Sequence, residues 1–194
     1  MKATNSFRVM LLALCAIMLG GLMTGCKEKN GPETPSSETP ETPQEPGKAA
    51  FARAEAALTF TDAMLEVLDI TIDYYDNAGE LKSEAVTARE WKFQTKAPLP
   101  TKAGMCVRVA IKEGIDIDSY EKVNLTITVA YRCAAVDAND LIVGPVHRVD
   151  GASFGSELIG PHVQAWVNVI NKKKSVSFLY NFDAEGNSEK EEWE

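Results

Sequence analysis

The chain has 194 residues, 45% of them hydrophobic, 25% charged and 8% aromatic. That is room for one domain plus a tail, and it excludes a fibrous or wholly disordered polypeptide. The first 25 residues carry two basic side chains, Lys2 and Arg8, and no acidic one, so the remainder holds 18 basic against 28 acidic groups, a formal charge of −10. Such acidity is a poor match for nucleic acid or for electrostatic adsorption to anionic lipid.

At the N-terminus, Lys2 and Arg8 precede a 15-residue apolar stretch from Val9 to Met23, interrupted only by Gly20 and Gly21. This is shorter than the ~18–20 residues needed to span a bilayer and fits the apolar region of a secretory signal peptide over 1–25. The run Leu22-Met23-Thr24-Gly25-Cys26 that follows resembles the lipobox of bacterial lipoproteins, with Met23 where that family most often has Leu. The resemblance implies that the signal is cut before Cys26 and that the Cys26 thiol carries a diacylglycerol. Membrane attachment is then through lipid, at about 0.8 kcal/mol per buried methylene.

Residues 27–48 contain no aliphatic or aromatic side chain and hold five of the nine prolines: Pro32, Pro35, Pro40, Pro43 and Pro46. Nothing there buries enough surface to offset ordering entropy. The segment 26–48 is therefore expected to be a lipid-anchored, disordered Pro/Thr/Glu linker. At ~3.1 Å per residue in polyproline-II form, it reaches roughly 70 Å. Lys27, Glu28 and Lys29, directly after the cysteine, resemble the surface-export signals of Bacteroidota lipoproteins.

From residue 49 the pattern becomes period two. Leu68, Ile70, Ile72 and Tyr74 form one alternating set, Met105, Val107, Val109 and Ile111 a second, and Val123, Leu125, Ile127, Val129 and Tyr131 a third. Val163, Ala165, Val167 and Val169 form a fourth, and Val176, Phe178, Tyr180 and Phe182 a fifth. Each predicts a strand with one buried face. Weaker strands are expected over 84–95, with a bulge near Arg89 where Trp91 and Phe93 fall out of phase, and over 141–149. The alanine-rich stretch 49–58 predicts a short helix. Turns are expected at Asp76-Asn77-Ala78-Gly79, Asp137-Ala138-Asn139-Asp140 and Asp183-Ala184-Glu185-Gly186-Asn187. About seven antiparallel strands within 49–194, ending in an acidic tail, predict an all-β fold: a single immunoglobulin-like β-sandwich. A lipobox, a Thr/Pro/Glu tether and one small β-domain together resemble the surface lipoproteins of gut and oral Bacteroidota. The resemblance implies an outer-membrane or cell-surface location.

Signals for catalysis are weak. His147 and His162 have no Gly-x-Ser-x-Gly partner motif, since Phe154-Gly155-Ser156 supplies one glycine of two. No Cys-x-x-Cys or His-Glu-x-x-His spacing marks a metal site. Asp116 and Asp118 would share a strand face, Asp73 and Asp76 flank a hairpin, and Asp183, Glu185 and Asn187 surround Gly186; the EF-hand ligand spacing is absent, and turn-forming residues on a solvated surface explain these better than calcium does. Strand phase places Cys106 outward and Cys133 inward, which argues against a disulfide within one sheet. No catalytic residue, metal or cofactor is assigned.

Aromatic residues outside the inward phase are the best binding signal: Tyr75, Trp166 and Trp193. On a strand, Trp166 would stand between Gln164 and Asn168 on the face opposite the valines, an indole between two amides suited to a sugar ring. The sequence thus predicts a non-catalytic envelope lipoprotein whose sandwich binds a glycan or protein partner, with Gln164, Trp166 and Asn168 as candidate contacts. The alternative is a structural subunit of an envelope or fimbria-like assembly that accepts a partner strand at an open edge.

Overall fold

The computed structural model describes residues 47–193. Cys26, the signal segment and the linker up to residue 46 lie outside the described residues. In chain order the elements are β1 (Phe51–Phe60), α1 (Asp62–Val67), β2 (Leu68–Tyr75), β3 (Leu81–Ala85), β4 (Glu90–Pro98) and β5 (Thr101–Ile111). A 3-10 turn at Ile117–Ser119 leads to β6 (Val123–Val136), β7 (Ile142–Leu158), α2 (Gly160–Lys173), β8 (Ser177–Phe182) and β9 (Ser188–Lys190). Two antiparallel sheets, ordered β4-β1-β6-β7 (sheet A) and β3-β2-β5-β8-β9 (sheet B), pack as an all-β sandwich. It has nine strands among the described residues, where the sequence suggested about seven.

The alternating side chains meet between the sheets as expected. Ala52, Ala54, Ala56, Leu58 and Phe60 of β1 share the core with Leu125, Ile127 and Val129 of β6 and with Ile70, Ile72, Met105 and Val107 of sheet B. Aromatic pairs join the layers on both flanks. Tyr74 of β2 packs at 5.6 Å from Trp91 and 5.4 Å from Phe93 of β4, and Tyr131 of β6 stacks on Phe178 of β8 at 4.8 Å.

Three expectations are corrected. The stretch 49–58 is not helical. Its alanines are buried at every second position between Arg53, Glu55 and Ala57, and the small side chains leave room for Phe93 and Tyr131, both paired with Ala56. The expected bulge at Arg89 is a change of sheet: β3 pairs with β2, the chain crosses over residues 86–89, and β4 pairs with β1. The third concerns Val163 to Val169, which lie in helix α2 and not in a strand. Val163, Val167 and Ile170 (i, i+4, i+7) form its buried stripe, while Val169 is 46% exposed. Pro161 opens the helix, Lys172 and Lys173 occupy its last turn, and Lys174 ends it in the left-handed conformation.

The three turn motifs all close hairpins, and all in the same way. Oδ1 of Asp76 accepts from the amides of Ala78 and Glu80; Asp137 does so from Asn139 and Leu141, and Asp183 from Glu185 and Asn187, at 2.8–3.0 Å. The fourth residue of each turn, Gly79, Asp140 or Gly186, has positive φ.

Helix α2 finishes sheet B where β8 runs out. Strand β8 pairs with β5 only up to Cys106. Beyond it the amide of Val109 donates to Asn171 Oδ1 at 3.1 Å, and Asn171 Nδ2 donates to the Val109 carbonyl at 2.7 Å. One side chain thus makes the two bonds that a neighbouring strand would make.

Candidate functional site

The helix separates the residues that a strand would have aligned. Gln164 and Asn168 are exposed one turn apart, and Gln164 Nε2 donates to Asn168 Oδ1 at 3.1 Å. Trp166 lies about 200° around the helix from Gln164 and is half-buried against the core. The three side chains do not form one face, so the strand geometry that motivated a sugar contact there is absent.

The other two out-of-phase aromatics do meet. Tyr75 follows the inward Tyr74 and so points to the outer face of sheet B, opposite Leu81 of β3. Past β9 the chain continues antiparallel along β8, with the amide of Glu191 donating to the Leu179 carbonyl at 2.9 Å. The Trp193 indole N–H then donates to the Phe178 carbonyl at 3.2 Å, and its ring stands 5.6 Å from that of Tyr75, tilted by 38°. In β5, a Cβ on Gly104 would collide with the Phe178 carbonyl oxygen and sit 2.9 Å from Leu179 Cα. Both rings are half-buried and Leu81 beside them is 55% exposed.

Polar groups flank this pair. Arg108 holds Asp73 through Nε at 2.6 Å and through its second guanidinium nitrogen at 2.7 Å, and Ser83 Oγ also donates to Asp73. On the other flank Lys102 pairs with Glu191 at 2.6 Å. An aromatic pair with fixed charged and hydroxyl groups on either side supplies apolar stacking with orienting hydrogen bonds, the combination that holds a sugar ring.

The remaining sequence candidates have structural roles. Oxygens of Asp183 are occupied by the Glu185 and Asn187 amides and the Asn187 side chain. Asp116 and Asp118 lie at a 3-10 turn, not on a strand face. Among the described residues, no three His, Cys, Asp or Glu side chains converge as metal ligands would. Cys106 and Cys133 are free thiols in different sheets. Burial pushes the first up to about 11 and the second up to about 12, so both are protonated and unreactive near neutral pH. His147 Nε2 lies 2.7 Å from Ser188 Oγ, and its ring stacks on Tyr180 at 4.0 Å. No carboxylate among the described residues orients its other nitrogen, and the pair ties the edge of sheet A to that of sheet B.

A further feature escaped the sequence reading. On the outer face of sheet A, Arg132 of β6 stands directly opposite Arg148 of β7, and Arg53 of β1 directly opposite Lys96 of β4.

The chain matches no protein-family model, no curated protein and no solved structure.

Proposed function

We propose that this chain is a non-catalytic, lipid-anchored lipoprotein of the bacterial outer membrane or cell surface, carried on Cys26, and that its sandwich binds a glycan through the outer face of sheet B. The lipobox-like run ending in Cys26 supports the anchoring. The observation that carries the binding is the Tyr75–Trp193 pair, two half-buried rings with charged side chains on either flank. Assembly by strand exchange has less support. Of the four edge strands, β3 and β9 have five and three residues, β7 carries Pro145 and glycines of positive φ at 144, 151 and 155, and only β4, with nine residues, is long and regular. At the other three, such features discourage edge pairing.

The test is binding of the purified domain to arrayed glycans, with Tyr75→Ala compared to the parent. A loss of about tenfold or more at unchanged melting temperature is expected, because one face of a stacking pair is removed. Equal binding by the variant refutes the site. Anchoring is tested separately: Cys26→Ser should abolish labelling by a palmitate analogue, and equal labelling refutes it.

A further inference from the structure

Like charges directly opposite one another on an antiparallel pair repel, and sheet A has two such pairs side by side. Arg132 faces Arg148, and Arg53 faces Lys96. Arg53 also pairs with Ala134, two residues from Arg132, so all four cations belong to one continuous patch. Three of the four have one carboxylate within 4 Å. Glu55 lies 3.9 Å from Arg132, Asp150 lies 3.4 Å from Arg148, Asp140 holds Lys96 at 2.7 Å, and Arg53 has no ion pair among the described residues. Only Glu55 stands inside the patch; Asp140 belongs to the β6–β7 turn and Asp150 to the second register break of β7.

The floor of the patch is small and flat. Ala57 faces Ala130 in the next row, and Ala134 lies between Arg53 and Val146. An open cleft of about 440 Å³ lies beside it, lined by Arg132, Val146, Arg148 and Asp150. This arrangement occurs on a domain that is acidic elsewhere, with 16 basic against 22 acidic side chains over residues 47–193. The Arg148 side chain is 69% exposed and that of Arg132 39%, and a guanidinium's forked donors match a carboxylate or sulfate.

We infer that the outer face of sheet A binds a linear acidic polysaccharide, with Arg53, Lys96, Arg132 and Arg148 contacting its carboxylate or sulfate groups. Three features select this occupant. Strands spaced about 4.8 Å apart place cations on all four strands of the sheet, so a chain laid across them meets charge along its length. Val146 is the one branched aliphatic side chain lining the cleft, and the one aromatic ring at the patch, Phe51, lies half-buried beneath Lys96 Nζ at 4.5 Å, so the patch offers few of the large apolar anchors on which a folded protein partner would depend. Four cations confined to one face fall short of the wide basic track that nucleic acid needs. This site is independent of the Tyr75–Trp193 platform on the other sheet.

The test is calorimetric titration of the 47–194 domain with polygalacturonate and chondroitin sulfate fragments at low and physiological salt, with dextran as the neutral control. The wild type is expected to bind at least one acidic polymer and not dextran, with affinity falling as salt rises. Arg148→Glu should weaken binding by about tenfold or more while holding or raising the melting temperature, because it turns a repulsive cross-strand pair into an attractive one. Lys172→Gln/Lys173→Gln, on helix α2, should leave acidic-polymer binding unchanged. The inference is overturned if neither acidic polymer binds, if Arg148→Glu binds as the wild type does, or if a DNA duplex of equal charge concentration binds as tightly.

Discussion

Replacing Asn171 with alanine tests the view that a single helical side chain completes sheet B. Its two bonds to Val109, at 3.1 and 2.7 Å, satisfy a backbone amide and carbonyl in a residue that is 4% exposed. A buried polar group left without a partner costs about 1–3 kcal/mol. Asn171 itself is half-buried, so some water reaches the site, and the low end of that range applies to each group. About 0.5 kcal/mol returns because alanine is the better helix former. The net loss is then about 1.5–2.5 kcal/mol, and a domain of this size should melt roughly 5–8 °C lower. The assay pairs urea denaturation with amide exchange, and the Val109 amide should lose protection selectively. Asn171→Asp keeps an acceptor for that amide but faces the Val109 carbonyl with a second acceptor, so it should regain stability as the carboxylate is protonated. A loss below ~0.5 kcal/mol with Val109 still protected would refute the reasoning.

Three other outcomes follow from particular contacts. Gly104→Ala forces a methyl into the β8 backbone and should cost about 1–3 kcal/mol by overpacking; a wild-type melting curve would show that β8 can yield. Neither Cys106 nor Cys133 should react with a thiol reagent at pH 7–8 in the folded domain, because burial holds both thiols at about 11 and about 12; labelling faster than unfolding would contradict this. Stability should fall in two stages on acidification. Burial holds His147 below its ordinary value, so the unfolded chain takes up that proton first and stability declines as pH falls through about 6.5. The carboxylates of Asp76, Asp137 and Asp183 are held low chiefly by bonds from the Glu80 amide, the Gly47 amide and the Asn187 side chain. Their contribution is full above about pH 4 and is lost as pH falls through the lower folded values. His147→Gln should remove the upper stage and spare the lower, and a single unchanged stage would refute the assignment.

The hairpins were legible because an aspartate followed by a residue tolerant of positive φ is a local signal with a local cause. Most strands were legible for the same reason: each buries one face, and alternation records it. The two misread segments are reciprocal. Val163-x-Ala165-x-Val167-x-Val169 alternates, yet Val163, Val167 and Ile170 also satisfy a helical stripe, and β-branched content favoured the wrong period. Pro161 and the lysines at 172–174 were the helix-end signals that could have decided it. In β1 alanine composition suggested a helix, but Arg53 and Glu55 between alternating alanines carried the strand period. The candidate sites were less legible because they depend on distant contacts. Phase alone turned Tyr75 outward, but its meeting with Trp193 needs the C-terminal segment to fold back along β8. The Arg132–Arg148 pair depends on an irregularity. Continued from Val136 opposite Ile142, a regular hairpin would put Val146 across from Arg132; the register break at Gly144 and Pro145 puts Arg148 there instead.

The two outer faces depart from what stability alone would select, and in different ways. On sheet B, a glycine within β5 sacrifices strand propensity, and the paired rings of Tyr75 and Trp193 remain half exposed. On sheet A, two cross-strand pairs set cation against cation, although the chain has carboxylates in excess and a single acidic substitution would turn repulsion into attraction. Surface positions are the easiest to change without harming a fold, so unfavourable arrangements kept there are more economically explained by contact with something outside the chain than by folding. The two faces also differ in chemistry, apolar stacking on one and dispersed cations on the other, so a single ligand would not satisfy both. Salt separates them. Binding at the arginine face should weaken steeply as ionic strength rises, whereas binding at the Tyr75–Trp193 pair should change little, because stacking of apolar surface is not screened.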